Sequence, residues 1–388
     1  MFKKIAEMPE QKHLTWEPGC WPQFAIELDV RTHGKKIRRV CRKALSLEQS
    51  DQLEIAFLSN GIRSRIFSVT TAQGNYVLKV CIPVFPARKL ENEVATMRIV
   101  AGKTSIPVPR VVTYSTDTKD IGFEWVLMTR LPGLNLAETG VPLDIKQKCQ
   151  IIQRIAEWQA ELFGLRFSGI GSLHVAKPET ALSLDEESQS PLDGKVVVGE
   201  SCTIPFFMLD HLTLDVPRGP FKTASDWLMT CLNIFVHDQD QIISGNIAKT
   251  LEDDKIDVDS KDTQYWNHSR GAPEEAKARR GLAKRLKALV TRIIENENDQ
   301  DEPTALLYHD LHTANIMVHH EGPLSLVDWE LSTTAPLWQM CQLPAMLQPR
   351  WRERSSDRKT YALWDPRLSS EEREERINRI DELQEGCY

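Results

Sequence analysis

"LLYHDLHTANIMVHHEGPLSLVDWE", residues 306–330, sets Asp310, Asn315, Asp328, Glu330 and four histidines into a short apolar frame. "TALLYHD", "IMVHH" and "LSLVDWE" carry strand-like runs, with "LHTAN" as a loop and "EGP" as a turn between them. Four residues separate Asp310 from Asn315 across the loop, and a short β-ribbon returning on itself brings both to one end with Asp328. One amide oxygen and one carboxylate oxygen suit magnesium, which takes few protein ligands and leaves the rest to water and phosphates. A carboxylate left off the metal can orient an alcohol and accept its proton. The adjacent His319 and His320 precede the turn and are read as solvent-facing, not as zinc ligands. Glu330 has three readings: a partner in the metal site, a substrate contact, or a cap on the following loop.

Upstream, from about residue 62, "IRSRIFSVTT" and "YVLKVCI" flank the polar turn "AQGN" and form a hairpin. In "ARKLENEVATMRIVAG", Leu90, Val94, Met97 and Val100 recur at helical spacing, with Gly102 as the stop. "SIPVPRVVTYS" and "FEWVLMTRL" read as two more strands before Pro132 and Gly133, which gives a small α+β lobe. After Gly133, Asp144 caps a helix whose Ile145, Cys149, Ile152, Ala156 and Phe163 fall on one face. "TASDWLMTCLNIFVHD" and "PEEAKARRGLAKRLKALVTRIIEN" are two further helices, the second with Leu282, Leu286, Leu289 and Ile293 on one face. Polar stretches at 176–202 and 251–264 read as solvated loops, and the charged tail 369–386 as a helix with a thin apolar stripe.

"HDLHTAN" followed by "LVDWE" resembles the catalytic loop and metal-binding aspartate of the protein-kinase-like superfamily, and specifically the aminoglycoside phosphotransferase family with its fungal relatives. Lys79 in "YVLKV", Glu93 in "ENEVATMR", and the segments "SIPVPRV", "WVLMTRLPG" and "GIGSL" look like further markers of that family, so the likeness runs from about residue 55 to 346. It implies an α+β, bilobal protein-kinase-like fold. Residues 1–131 would form the N-terminal segment and nucleotide-binding N-lobe, and 132–388 the C-lobe. The implied activity is a magnesium-dependent phosphotransferase that moves the γ-phosphoryl group of ATP, or GTP, to a hydroxyl of a small molecule. The implied roles are Asp310 as catalytic base, Asn315 and Asp328 as Mg2+ ligands, and Lys79, fixed by Glu93, as phosphate anchor. Met128, Thr129 and Leu131 would line the adenine connector.

Tyr308 sits where the family commonly has a histidine, and the chain looks short after Pro344; "SNGIRSRIF" lacks a GxGxxG, as is usual in this family. The first two departures motivate an alternative, a pseudokinase that binds nucleotide or a partner without turnover. A protein kinase is disfavoured because "DWELSTTAPLW" lacks the boundaries of an activation loop. Trp227 with Asp226, and Trp338, are candidates for an acceptor pocket, with burial in the core as the alternative.

Composition narrows the classes further. The chain has 388 residues, 41% of them hydrophobic, enough for two packed lobes. A net charge of -7 argues against nucleic acid and mildly favours a cationic substrate. Eight cysteines without a CxxC pair suggest reduced thiols. No run nears the roughly 18 apolar residues of a spanning helix, and Glu7 and Glu10 break up the basic N-terminus. The expectation is a cytoplasmic protein with no membrane partner, with a mitochondrial location as the alternative.

Overall fold

The computed structural model describes residues 14–16, 22–24, 30–138, 144–176, 194–208, 210–245, 273–294, 302–319, 324–342 and 369. Met1–Gln342 forms one compact unit and Leu343–Tyr388 a second, and every described residue except Ser369 lies in the first. The predicted loop at 251–264, His320, the tail helix beyond Ser369 and most of the 176–202 loop lie outside the described residues.

The chain begins with a short ladder of β1 (Leu14–Trp16) and β2 (Pro22–Phe24), then α1 (Val30–Ala44). β3 (Leu53–Asn60), β4 (Ser64–Thr71), β5 (Gly74–Cys81), α2 (Arg88–Lys103), β6 (Val111–Ser115) and β7 (Glu124–Thr129) come next. The five longer strands form one antiparallel sheet in the order β3-β4-β5-β7-β6. The predicted β4–β5 hairpin closes between Thr71 and Gly74, where Thr71 Oγ1 accepts from Gln73 N at 3.1 Å. Along β5, successive side chains point to opposite faces of the sheet. Leu78 and Val80 join Phe67, Val69 and Leu127 in a core that includes Ile37 and Cys41 of α1. Lys79, between them, faces the opposite side, where its ammonium meets Glu93 of α2.

The sequence reading missed α1 and β3. In α1 the apolar stripe is thin and set among basic residues, and β3 is an edge strand that buries only Leu53 and Ile55 while leaving Phe57 and Leu58 exposed. A helix or strand whose apolar signal is that sparse is not separable from a polar loop by periodicity.

Past the sheet come β8 (Leu134–Asn135), α3 (Ile145–Gly164), β9 (Phe167–Ser168), β10 (Ser172–Val175), β11 (Val196–Gly199) and α4 (Ile204–Phe207). They lead to α5 (Ala224–Ile243), α6 (Pro273–Ile294), β12 (Pro303–Leu307), β13 (Ile316–Val318), β14 (Ser325–Leu326), β15 (Thr333–Pro336) and α7 (Leu337–Met340). Asp144 caps α3 as expected, in a full capping box with Gln147. The predicted face of α3 is wrong. Ile145 is 77% exposed, and the buried stripe is Ile151, Ile155, Trp158 and Leu162. Two apolar stripes lie one residue apart around this helix, and the one carrying the tryptophan is buried. On α6 the leucines are likewise the wrong choice, since Leu282, Leu286 and Leu289 are exposed while Ala276 and Ala283 are buried. Small side chains let α6 approach α5 closely, and Lys287 donates to Asn233 at 2.5 Å across that contact.

The quoted stretch is not one ribbon but parts of two sheets, β15-β12-β9 and β14-β13-β8. Thr304, at the start of β12, donates to Phe167 O, while Leu134 and Asn135 of β8 pair with Val318 and Met317 of β13. Gly133 makes the second pairing feasible. Its φ is 95°, and a Cβ there would lie 2.2 Å from Val318 O. The connector after β7 is thereby tied to the strand that comes after Asn315. Together these elements make the expected α+β fold: an antiparallel sheet with α2 beside it, then a mainly helical part. Among the described residues no helix is long and apolar enough to cross a membrane.

The start of α2 is held from β7. Ala87, at φ 60°, donates its N–H to Glu124 Oε1 at 2.6 Å. Burial pushes the Glu124 carboxyl up to about 7, against the opposing pull of the Ala87 N–H and Lys89. A folded carboxyl that keeps its proton to about 7, against about 4.5 when unfolded, contributes stability that is full below the lower value and lost as pH rises through the higher. Glu124→Gln should flatten that decline, which is on the order of 3 kcal/mol at most. Urea midpoints of both proteins between pH 5 and 8 measure it, and parallel pH curves would exclude Glu124 as the source.

Candidate functional site

The site is built around the Lys79 ammonium, which is buried and held by three carboxylates. It donates to Glu93 Oε1 at 2.8 Å and Asp328 Oδ1 at 2.7 Å, and lies 3.4 Å from Glu330 Oε2. Burial opposes the charge, but Asp328, Glu330 and Glu93 together hold the lysine well above its usual range. Glu330 is itself a junction. Oε2 also accepts from Lys89 of α2 at 2.9 Å, and Oε1 from Arg63 Nε at 2.7 Å. Burial works against the Glu330 charge, yet Lys79, Lys89 and Arg63 keep its carboxyl well below the usual carboxylate range. Three cations thus face three carboxylates, drawn from the β3–β4 turn, β5, α2 and the turn after β14.

Oxygens of Glu93, Asp328 and Glu330 lie within 4.8 Å of one another, a spacing that would suit a metal ion. The Lys79 ammonium already sits within hydrogen-bonding reach of all three, so that point holds a cation supplied by the chain itself.

The loop after β12 holds the second group. Asn315 is buried and its Nδ2 donates to Asp310 O at 3.0 Å and to Asp310 Oδ2 at 3.3 Å, with His312 Nε2 lying 3.3 Å away. With the nitrogen so engaged, the amide oxygen is left as a ligand; this orientation is set by the hydrogen-bond network. Asp310 and His312 are both partly exposed, and His312 Nε2 lies 3.3 Å from Asp310 Oδ1. Asp328 keeps one carboxylate oxygen off Lys79. An amide oxygen with a carboxylate oxygen is a donor set that fits magnesium. Val327 N donates to Asn315 O at 3.1 Å, which ties the two loops together directly.

Tyr308 supplies the support that its position demands. Its hydroxyl donates to Val327 O at 2.7 Å, and its ring packs on Trp329 with centroids 4.5 Å apart. The two contacts bracket Asp328, whose φ of 60° is in the left-handed region, as is that of Leu331 at 64°. A non-glycine residue there is strained unless its neighbours over-determine it. Here the carbonyl before it and the fully buried indole after it are both fixed. Burial, and after it the charges of Asp328 and Asp310, raise the Tyr308 phenol well above its usual range, so it remains a donor.

The residues assigned to the site from the sequence are all among the described residues. Lys79, Glu93 and Asp328 meet directly, Asp310 meets Asn315, and Met128, Thr129 and Leu131 lie at the end of β7 and just past it. Neither backbone group of Leu131 is hydrogen-bonded within the described residues. Trp227 and Trp338 do come together, with centroids 6.4 Å apart and Trp338 half exposed. Asp226 turns instead to Thr223 Oγ1 at 2.9 Å, as part of the α5 cap. Sequence reasoning missed Arg63 and Lys89 and left Glu330 unassigned. Lys89 had a readable signal, since it stands four residues before Glu93 and so on the same helix face.

Comparison with known proteins adds a lineage to this geometry. The model of the "Phosphotransferase enzyme family" matches residues 54–197 and 213–367. A subtelomeric hrmA-associated cluster protein of Aspergillus fumigatus is 29% identical over 175 residues, covering 44% of this chain and 33% of that protein. The altered inheritance of mitochondria protein 9 of Zygosaccharomyces rouxii is 24% identical over 315 residues, covering 73% of this chain and 48% of its own length. The chain therefore spans between a third and a half of these relatives. A crystal structure of a putative aminoglycoside phosphotransferase from Ralstonia eutropha is similar at 14% identity and a TM-score of 0.42, over 78% of this chain and 66% of that one.

Glu330→Ala should cost about 3–5 kcal/mol, because it strands Lys89, whose one ion pair among the described residues is with Glu330. Adding Lys89→Met should return part of that loss. Urea denaturation of the two single variants and the double variant checks this, and strict additivity would contradict the coupling.

Proposed function

The chain belongs to the phosphotransferase enzyme family, and on that premise we propose that it transfers the γ-phosphoryl group of ATP to a hydroxyl of a small molecule, with magnesium. The observation that carries the reading is the joining of Lys79 to both Glu93 and Asp328 at 2.8 and 2.7 Å, with Asn315 anchored on Asp310. Phosphoryl transfer needs positioning and charge neutralisation more than covalent help from the protein. Lys79 anchors the nucleotide phosphates, held in direction by Glu93. Asp310, partly exposed and lightly tethered by His312 and Asn315, orients the acceptor hydroxyl and takes its proton. Asn315 and Asp328 would hold Mg2+, which supplies neutralisation of charge between the phosphates when bound. The backbone groups of Leu131, unpaired among the described residues, present a donor and an acceptor to the base, with Met128 and Thr129 leading into the connector. GTP is the alternative donor, since backbone groups serve either purine.

Tyr308 bears on the pseudokinase alternative. Its hydroxyl reaches Val327 O, so this departure from the family pattern preserves support for Asp328 and favours turnover. The acceptor is a small hydroxylated molecule, and the Trp227–Trp338 pair is a candidate surface for it.

A thermal-shift titration with magnesium and ATP tests the reading before any acceptor is known. Wild type should be stabilised by the two together, and Asp328→Ala should lose that joint effect. Asp310→Ala should keep it, yet lose roughly 10²–10⁴-fold in ADP release across an acceptor panel. Retention of the joint shift by Asp328→Ala would sink the assignment. Tyr308→Phe keeps the ring on Trp329 and removes one hydrogen bond, so Mg-ATP affinity should fall about 2–10-fold; calorimetric titration measures it, and an unchanged affinity would remove Tyr308 from the site.

A further inference from the structure

Arg63 lies in the turn between β3 and β4, and that turn is fixed by its own bonds. Gly61 N donates to Ser64 O at 3.0 Å, Arg65 Nη1 to Gly61 O at 3.2 Å and to Ser64 O at 3.3 Å, and Ile82 N to Arg63 O at 3.0 Å. A Cβ on Gly61 would stand 2.8 Å from Ser64 Oγ, so the turn is closely packed as well. The Arg63 side chain is 10% exposed, and its Nε is engaged by Glu330 Oε1 at 2.7 Å. Its two terminal nitrogens make no hydrogen bond to any described residue. Four of the five guanidinium N–H groups are therefore uncommitted to any described residue and open to a ligand, while Nε stays held.

Three carboxylates lie near enough to act on the Arg63 charge. Burial opposes the guanidinium, while Glu330 first, and then Asp328 and Asp310, favour it. Asp328 and Asp310 are the two carboxylates on either side of the transferred group under the proposed function. Glu330 does not need Arg63 for its own neutralisation, since Lys89 and Lys79 already reach it.

We propose that Arg63 is an arginine finger supplied in cis, which donates its free guanidinium edge to the oxygens of the phosphoryl group in transfer and is held for that task by Glu330. The proposal rests on the phosphotransferase reading. In the step, the bond from phosphorus to the β–γ bridging oxygen breaks and its electrons stay on ADP. The acceptor oxygen bonds phosphorus, and the hydroxyl proton passes to Asp310. Arg63 gives and takes no proton; it neutralises charge on the equatorial oxygens in a planar, two-pronged geometry that lysine lacks.

The test is calorimetric titration in magnesium with ADP, and with ADP plus aluminium fluoride as a mimic of the group in flight, for wild type, Arg63→Ala and Arg63→Lys. Both variants should bind Mg-ADP within about 3-fold of wild type. Binding of the fluoroaluminate complex should fall roughly 10²-fold or more in Arg63→Ala, within the range an arginine finger provides, and less in Arg63→Lys. Arg63→Lys keeps a cation opposite Glu330, so the comparison survives if the alanine variant misfolds. Equal losses for both ligands would make Arg63 a structural residue and overturn the proposal, as would no loss at all. Wild-type protein that binds no Mg-ADP would overturn the phosphotransferase reading along with it.

Discussion

The Lys79 ammonium is the constraint on which the arrangement depends. A buried, isolated ammonium would shed its proton, so charge here is kept only by partners. Glu93, Asp328 and Glu330 supply them from α2 and from the turn after β14, two elements far apart in sequence. Each carboxylate is also buried or half-buried, and each depends on cations in return. Removing Lys79 or Glu330 leaves an uncompensated buried charge, so the network specifies one placement of β5, α2 and the turn after β14 relative to each other.

Backbone geometry carries the same message. Asp328 and Leu331 both adopt left-handed φ values, which lets the chain turn sharply enough to aim Asp328 at Lys79 and Glu330 at Lys89 within three residues. A β-ladder would point these two alternate side chains the same way but leave them further apart along a straight strand. Trp329 between them is fully buried and donates to Leu326 O at 3.3 Å, and Ser332 Oγ donates to Trp329 O at 2.9 Å. Packing and hydrogen bonds thus offset the strain at the place where two charges must be presented together.

How much of this was legible in the sequence differs with the kind of signal. The β4–β5 hairpin, α2 and β7 show strong periodicity, and spacing alone joined Asp310 to Asn315 and flagged Asp328. Lys79 and Glu93 were placed by resemblance, and their 2.8 Å contact is a tertiary fact that spacing could not supply. Arg63 was illegible, and Lys89 legible only as a neighbour of Glu93 on one helix face, for a physical reason. A charged side chain in a turn or on a helix is solvated by default, and only the folded position of Glu330 buries them. The faces of α3 and α6 failed for another: two apolar stripes compete around each helix, and periodicity alone does not say which of them is buried.

The network also sets a requirement on any ligand that enters it. Three cations balance three carboxylates within it, so phosphates cannot simply be added beside Lys79 without a change of partners. Glu93 and Glu330 are buried with their cations and have no route to water, but Asp328 is about a third exposed and keeps one oxygen off Lys79. Asp328 is therefore the partner able to let go. Under the proposed function, a divalent cation arriving with the nucleotide gives Asp328 a new partner at the same moment that the phosphates give one to Lys79. Neither charge is stranded during the exchange, and Glu93 and Glu330 hold the lysine in place throughout. The exposed member of the cluster is thus also the one proposed to bind the metal, and burial alone distinguishes it from the two glutamates.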